Sequence, residues 1–231
     1  MGDFTGSDYT KKERFRCQLI TWGEAAGMSR ELARMVYASR FEPDIIIAIG
    51  RGGYVPARVV SDYLLFRDLT TIKMEHWGVA ATIDEQAHIR FGLSTDISNM
   101  RVLLVDDITD TGDTLQVALD YIKDLNPAKV CTAVLQHKTC SSFIPDFYVH
   151  RILKWRWIIY PWAMFEDISG FIKRIVGNGW MSVQDIQQRL SHDFQLSISI
   201  GKLAGILEDM EMQGLIGRSG NEGRSVYRDV D

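Results

Sequence analysis

Apolar positions along this chain are arranged in two ways. Unbroken runs, Asp44-Ile-Ile-Ile-Ala-Ile49 after its first residue and Val102-Leu-Leu-Val105, are too short for helices and read as strands buried on both faces. Lys129 to Leu135 reads as a further strand. Elsewhere apolar residues recur at helical intervals: Leu115, Ala118, Leu119, Ile122 and Leu125 follow the second run, and Leu32, Met35 and Val36 lie on a stripe ending near Ser39. Thr21 and Glu24 have the spacing of a capping box at the start of that stripe, with Trp22 between them as a packing residue. Buried strands alternating with amphipathic helices predict an α/β fold with a parallel sheet.

The segment joining the second strand to its helix carries the chemistry. Val102–Val105 runs into two carboxylates, Asp106 and Asp107, and then into Thr109-Asp110-Thr111-Gly112-Asp113-Thr114. Such a turn collects hydroxyls, a glycine and backbone N–H groups where a helix begins, a setting that attracts phosphate. The acid pair would repel that phosphate, but it suits sugar hydroxyls or a hard cation such as Mg²⁺. At the end of the first strand, Gly50-Arg51-Gly52-Gly53 forms a second glycine-rich turn. Glycines let backbone N–H groups approach an anion closely, although alone this turn would serve any tight strand-to-helix connection.

Four apolar residues, two acids, two variable residues and Asp-Thr-Gly-x-Thr together resemble the PRPP-binding motif of the type I phosphoribosyltransferases, PRPP being 5-phosphoribosyl 1-pyrophosphate. The resemblance implies a parallel-sheet core with a hood above it. It gives PRPP binding to Asp106, Asp107, Thr109, Asp110, Thr111, Gly112, Asp113 and Thr114. Asp106 and Asp107 would hold the ribose hydroxyls directly or through Mg²⁺, and are the implied metal ligands. Gly50, Arg51, Gly52 and Gly53 resemble the family's pyrophosphate loop, in which the peptide before the basic residue can be cis. Arg51 would face the leaving group, and Asp110 would act as general base toward purine N7. Met74 to Asn99, starting near His76-Trp77 and returning through Ile89 to Phe91, falls where the family has a loop that closes over its substrates.

The 6-oxopurine branch has a lysine at the end of the next strand, and an aromatic that stacks on the base ahead of a short apolar strand. Those roles fall to Lys138, Trp157 and Ile158 by resemblance. A lysine only donates hydrogen bonds, so it favours a carbonyl over an exocyclic amine. One position departs: Ala163 stands where relatives carry an acid after the Pro-Trp, and Glu166-Asp167 come later. Adenine therefore stays open as the base. The family's hood further implies that the N-terminal helix and the strand around Trp157 lie together.

The chain divides on this reading into a polar tail (1–16), a phosphoribosyltransferase domain (17–167) and a small α+β domain (168–231). In the last, Phe171-Ile172-Ile175-Val176 ends at a Gly-Asn-Gly turn, Ser182 caps a second helix through Leu190, and Ile198 to Met212 forms a third. Gly214–Arg218 and Ser225–Arg228 follow as two short strands, so the order resembles a winged helix-turn-helix. A PRPP-responsive DNA regulator is thus a rival reading. Seven Lys/Arg against eight Asp/Glu in 168–231, with Glu208, Asp209 and Glu211 on the third helix, speak against DNA. Only Arg218, Arg224 and Arg228 would suit it.

Composition narrows the setting. Apolar residues make up 46% of the 231, enough for a packed core, and no apolar run reaches membrane-spanning length. Cys17, Cys131 and Cys140 lack metal-binding spacing and read as reduced, partly buried thiols of a cytoplasmic protein. The net charge of −4 gives no general pull toward nucleic acid or membrane. The expected protein is a Mg²⁺-dependent purine phosphoribosyltransferase using PRPP and a purine base, and by resemblance a homodimer.

Overall fold

The computed structural model describes residues 14–75, 87–220 and 225–230. It separates into two compact units, one over 21–155 and one combining 14–20 with 156–230. His76, Trp77 and Arg224 lie outside the described residues.

Cys17–Leu19 (β1) belongs to the second unit. In the first unit the order is α1 (Trp22–Ala38), β2 (Ile45–Gly50), α2 (Tyr54–Tyr63), β3 (Leu69–Glu75), β4 (His88–Phe91), β5 (Arg101–Thr109), α3 (Asp113–Asp124), β6 (Lys129–Lys138) and β7 (Phe147–Ile152). The sheet runs β4-β3-β2-β5-β6-β7, parallel throughout except where β4 returns against β3. The Ile45–Ile49 and Val102–Val105 runs are buried throughout, as strands covered on both faces must be. Ile45, Ile47, Val102, Leu104 and Val134 pack with Leu115, Ala118 and Ile122 of α3. Asp44 fixes the start of this pairing by accepting from the Arg101 backbone N–H at 2.7 Å and from its guanidinium at 2.8 Å. Those bonds hold the Asp44 carboxyl down at about 2.

After β2 the chain crosses to β3 on one side, and after β5 it crosses to β6 on the other. β2 and β5 are neighbours, so their carboxyl ends diverge at a topological switch point, where open α/β sheets leave a crevice for ligands. The two glycine-bearing turns occupy those two ends.

Thr21 and Glu24 form the complete capping box, with Glu24 Oε2 accepting from the Thr21 N–H at 2.7 Å. α1 packs on α2, β6 and β7, because Ala25, Met28, Leu32, Ala33 and Val36 make a stripe wide enough to need a sheet beneath it. Trp22, expected to pack, is 60% exposed.

In the second unit β1 pairs in parallel with β8 (Trp157–Ile159), joining Cys17 to Trp157 and Leu19 to Ile159. Then come α4 (Met164–Val176), β9 (Met181–Ser182), α5 (Val183–Phe194), α6 (Ile200–Met212), β10 (Ile216–Ser219) and β11 (Val226–Asp229). The three helices and the final hairpin appear in the expected order. β9 adds a third strand, so that β10-β11-β9 is an antiparallel sheet. Ser182 and Ser199 cap α5 and α6, and Gly177, at φ 49°, ends α4. The unit is centred on Ile168, Ile172, Ile186, Leu190, Leu203 and Leu207, all fully buried. Among the described residues no helix is long and apolar enough to cross a membrane.

Candidate functional site

The turn after β2 is built so that side chains are excluded from it. The Gly50–Arg51 peptide is cis. The Gly53 N–H donates to the Ile49 carbonyl at 2.8 Å. A Cβ on Gly53 would lie 2.3 Å from the Val105 carbonyl oxygen and 2.8 Å from that of Ile49, so only glycine lets α2 start this close to both strands. A Cβ on Gly52 would stand 2.6 Å from both carboxylate oxygens of Asp107, which puts this acid directly over the loop. Gly50 has the Tyr54 hydroxyl over it in the same way. Arg51 is exposed at the tip.

At the end of β5, Asp106 is buried and accepts from the Asp107 N–H at 2.9 Å. Burial, and then the neighbouring Asp107 charge, push the Asp106 carboxyl well above its ordinary value. Thr109 is buried, and its hydroxyl has no hydrogen-bond partner among the described residues. Gly112 sits at φ 103°, and a Cβ there would be 2.7 Å from the Ser141 hydroxyl and from Phe143 Cβ. Ser142 closes the turn from that side, donating to the Thr111 carbonyl from its N–H at 2.9 Å and its hydroxyl at 3.0 Å. Thr111 in turn donates to Asp113 at 2.8 Å, at the start of α3. Thr114 lies in that first turn, half-buried.

Lys138, the last residue of β6, is 2% exposed along its side chain and pairs with Asp110 Oδ2 at 2.5 Å. The other carboxylate oxygen of Asp110 accepts from Trp155 Nε1 at 3.1 Å, and the Lys138 ammonium lies 4.5 Å from the centroid of the Trp155 ring. Burial holds Lys138 below the usual lysine range, against the opposing pull of Asp110. The first unit therefore brings together Gly50–Gly53, Asp106, Asp107, Thr109–Thr114 and Lys138 at one edge of one sheet.

Trp157 and Ile158 belong to the second unit. Trp157 donates through Nε1 to Asp167 at 3.1 Å, and its ring meets Phe171 edge-on and lies 6.5 Å from Phe15. Ile158 is paired with Gln18 of β1. Ala163 is the N-cap of α4, and Asp167, the acid slightly later in sequence, is the one bonded to Trp157. Two features of the first unit escaped the sequence: the Thr139–Phe143 segment that clamps the Asp-Thr-Gly turn, and Trp155.

A parallel sheet with a phosphate-type turn and an acid pair at its switch point defines a nucleotide- or sugar-phosphate-handling α/β protein. The family described as phosphoribosyl transferase domain matches residues 18–166, and the chain belongs to it. Xanthine-guanine phosphoribosyltransferase of Desulfotalea psychrophila is 32% identical over 68% of this chain and 91% of its own length. The enzyme of the same name from Idiomarina loihiensis is 28% identical over 65% of this chain and 92% of its own. Among solved structures, a purine phosphoribosyltransferase from Pyrococcus horikoshii Ot3 shares 32% identity with a TM-score of 0.56, covering 63% of this chain and 93% of that one.

Proposed function

We propose that this phosphoribosyltransferase transfers the 5-phosphoribosyl group of PRPP to a free purine, preferring 6-oxopurines, to form a nucleoside 5′-monophosphate and pyrophosphate in purine salvage. The observation that carries the substrate class is Lys138, an ammonium buried at the end of β6 beside the phosphate turn. A buried donor with no acceptor capacity selects a ring carbonyl such as purine O6. The purine enzymes among the relatives support the same reading.

In the reaction, purine N9 forms a bond to C1′ as the C1′–oxygen bond breaks, and the departing electron pair leaves with pyrophosphate. Asp110 receives the proton of N7 once Lys138 has turned to O6. Asp106 and Asp107 hold the ribose hydroxyls, Thr109 through Thr114 surround the 5′-phosphate, and Arg51 with Gly50, Gly52 and Gly53 receives the pyrophosphate. Trp157 and Ile158 stack on the base and read its edge.

Asp106 and Asp107 also suit Mg²⁺. They are adjacent carboxylates, one of them penalised as an anion by burial and by its neighbour. Among the described residues no group of three or more His, Cys, Asp and Glu side chains could hold a metal by itself. When bound, the ion would offset the charge of the pyrophosphate.

The C-terminal domain (168–231) is read as winged-helix-like with a packing, dimer-forming or regulatory role. Two of its cations support this over DNA binding: Arg218 pairs with Glu211 at 3.6 Å and Lys173 with Asp229 at 3.4 Å. A homodimer and a cytoplasmic setting complete the proposal.

The test is nucleotide formation from Mg²⁺, PRPP and each of adenine, hypoxanthine, guanine and xanthine. Turnover of oxopurines is expected. Turnover of adenine alone would remove Lys138 from base selection, and no turnover despite PRPP binding would favour a regulator.

A further inference from the structure

Asp110 has two oxygens, and each is engaged differently. Oδ2 meets Lys138, and Oδ1 accepts the indole N–H of Trp155. Trp155 also turns its ring toward the Lys138 ammonium, 4.5 Å away, a cation–π distance. One indole thus touches both members of the acid–lysine pair through different parts of its surface.

We infer that Trp155 is the positioning residue for this pair, its N–H fixing the direction of the Asp110 carboxylate and its ring fixing the Lys138 ammonium. The inference rests on the purine-transferase reading. When a purine carbonyl draws Lys138 away, Asp110 Oδ2 loses its partner and becomes able to accept a proton. A carboxylate at the tip of a turn would then be free to rotate. The Trp155 N–H keeps Oδ1 anchored, so that Oδ2 stays where the lysine held it. The ring simultaneously limits how far the ammonium travels, so the two groups meet the base at a fixed separation.

The titratable groups around Asp110 among the described residues are Lys138, from β6, and Cys140, just beyond it, whose thiol donates to the Asp110 carbonyl at 3.7 Å. The indole is the neutral donor of the set.

Trp155→Phe keeps a ring and removes the N–H. Expected is a kcat lowered by about 10- to 100-fold, the cost of a misdirected catalytic group, with the KM for PRPP unchanged. Calorimetric binding of PRPP to the same variant monitors the turn. Wild-type kcat in Trp155→Phe would overturn the inference while the purine transferase stands. Loss of PRPP binding would also overturn it, since Trp155 would then be holding the turn and not the acid. Absence of purine turnover in the wild-type protein would instead remove the underlying reading, and the inference with it.

Discussion

Two carbonyl groups hold position 53 to glycine. Both belong to the strands that flank the site, Val105 O in β5 and Ile49 O in β2, and these residues are held in the sheet, Val105 opposite Ala48 and Ile49 opposite Ile72. Gly53→Ala is therefore expected to cost about 1–3 kcal/mol from overpacking and to weaken pyrophosphate binding as the turn is displaced. Thermal unfolding and calorimetric titration with pyrophosphate measure the two effects. At Asp110 the balance is reversed: Asp110→Asn preserves shape and should leave PRPP affinity nearly intact while turnover falls steeply. Equal turnover in mutant and wild type would take Asp110 out of the mechanism. Residues of this kind were readable because they are adjacent in sequence, from Val102 to Leu115 and from Gly50 to Gly53. Trp155 was not, since its meaning depends on Asp110, 45 residues earlier, and on Lys138, 17 residues earlier.

At the scale of elements, periodicity located the strands and helices well but not the partners of each. The helix after Thr21 carries a stripe broad enough for a sheet, yet a stripe alone does not say which sheet. Its neighbour β1, three residues long, is too short for any pattern and was invisible until paired with β8. The same limit applies to Phe15, Phe171 and Phe194, scattered over the chain but joined in one cluster. Phe171 stacks on Phe194 at 4.6 Å, and Phe15 lies 5.0 Å from Phe194. Phe194 is 2% exposed, so Phe194→Ala should cost about 3–5 kcal/mol through lost burial and the cavity left behind. Denaturant unfolding followed by near-ultraviolet circular dichroism checks this, and a loss under 1 kcal/mol would show that the cluster contributes little.

For the whole molecule, the family match ends at residue 166, whereas the second compact unit begins before that and includes residues 14–20. Residues 14–20 are as much a part of that unit as its helices. Phe15 is buried in it and donates its N–H to the Asp193 carbonyl at 3.1 Å, Arg14 pairs with the Asp193 carboxylate at 3.3 Å, and β1 provides the only strand paired with β8 among the described residues. The buried core of the first unit's sheet is built from residues between Ile45 and Val134. Deleting residues 1–20 should therefore act at a distance in sequence. Amide hydrogen exchange is expected to rise across 156–230, most of all in β8 and at the end of α5, while β2, β5 and β6 keep their protection. Unchanged exchange in β8 would mean that the C-terminal helices hold that strand without β1. Loss of protection across the central sheet would mean that the two units fold as one, and the boundary drawn through Ile20 and Trp155 would have no thermodynamic content.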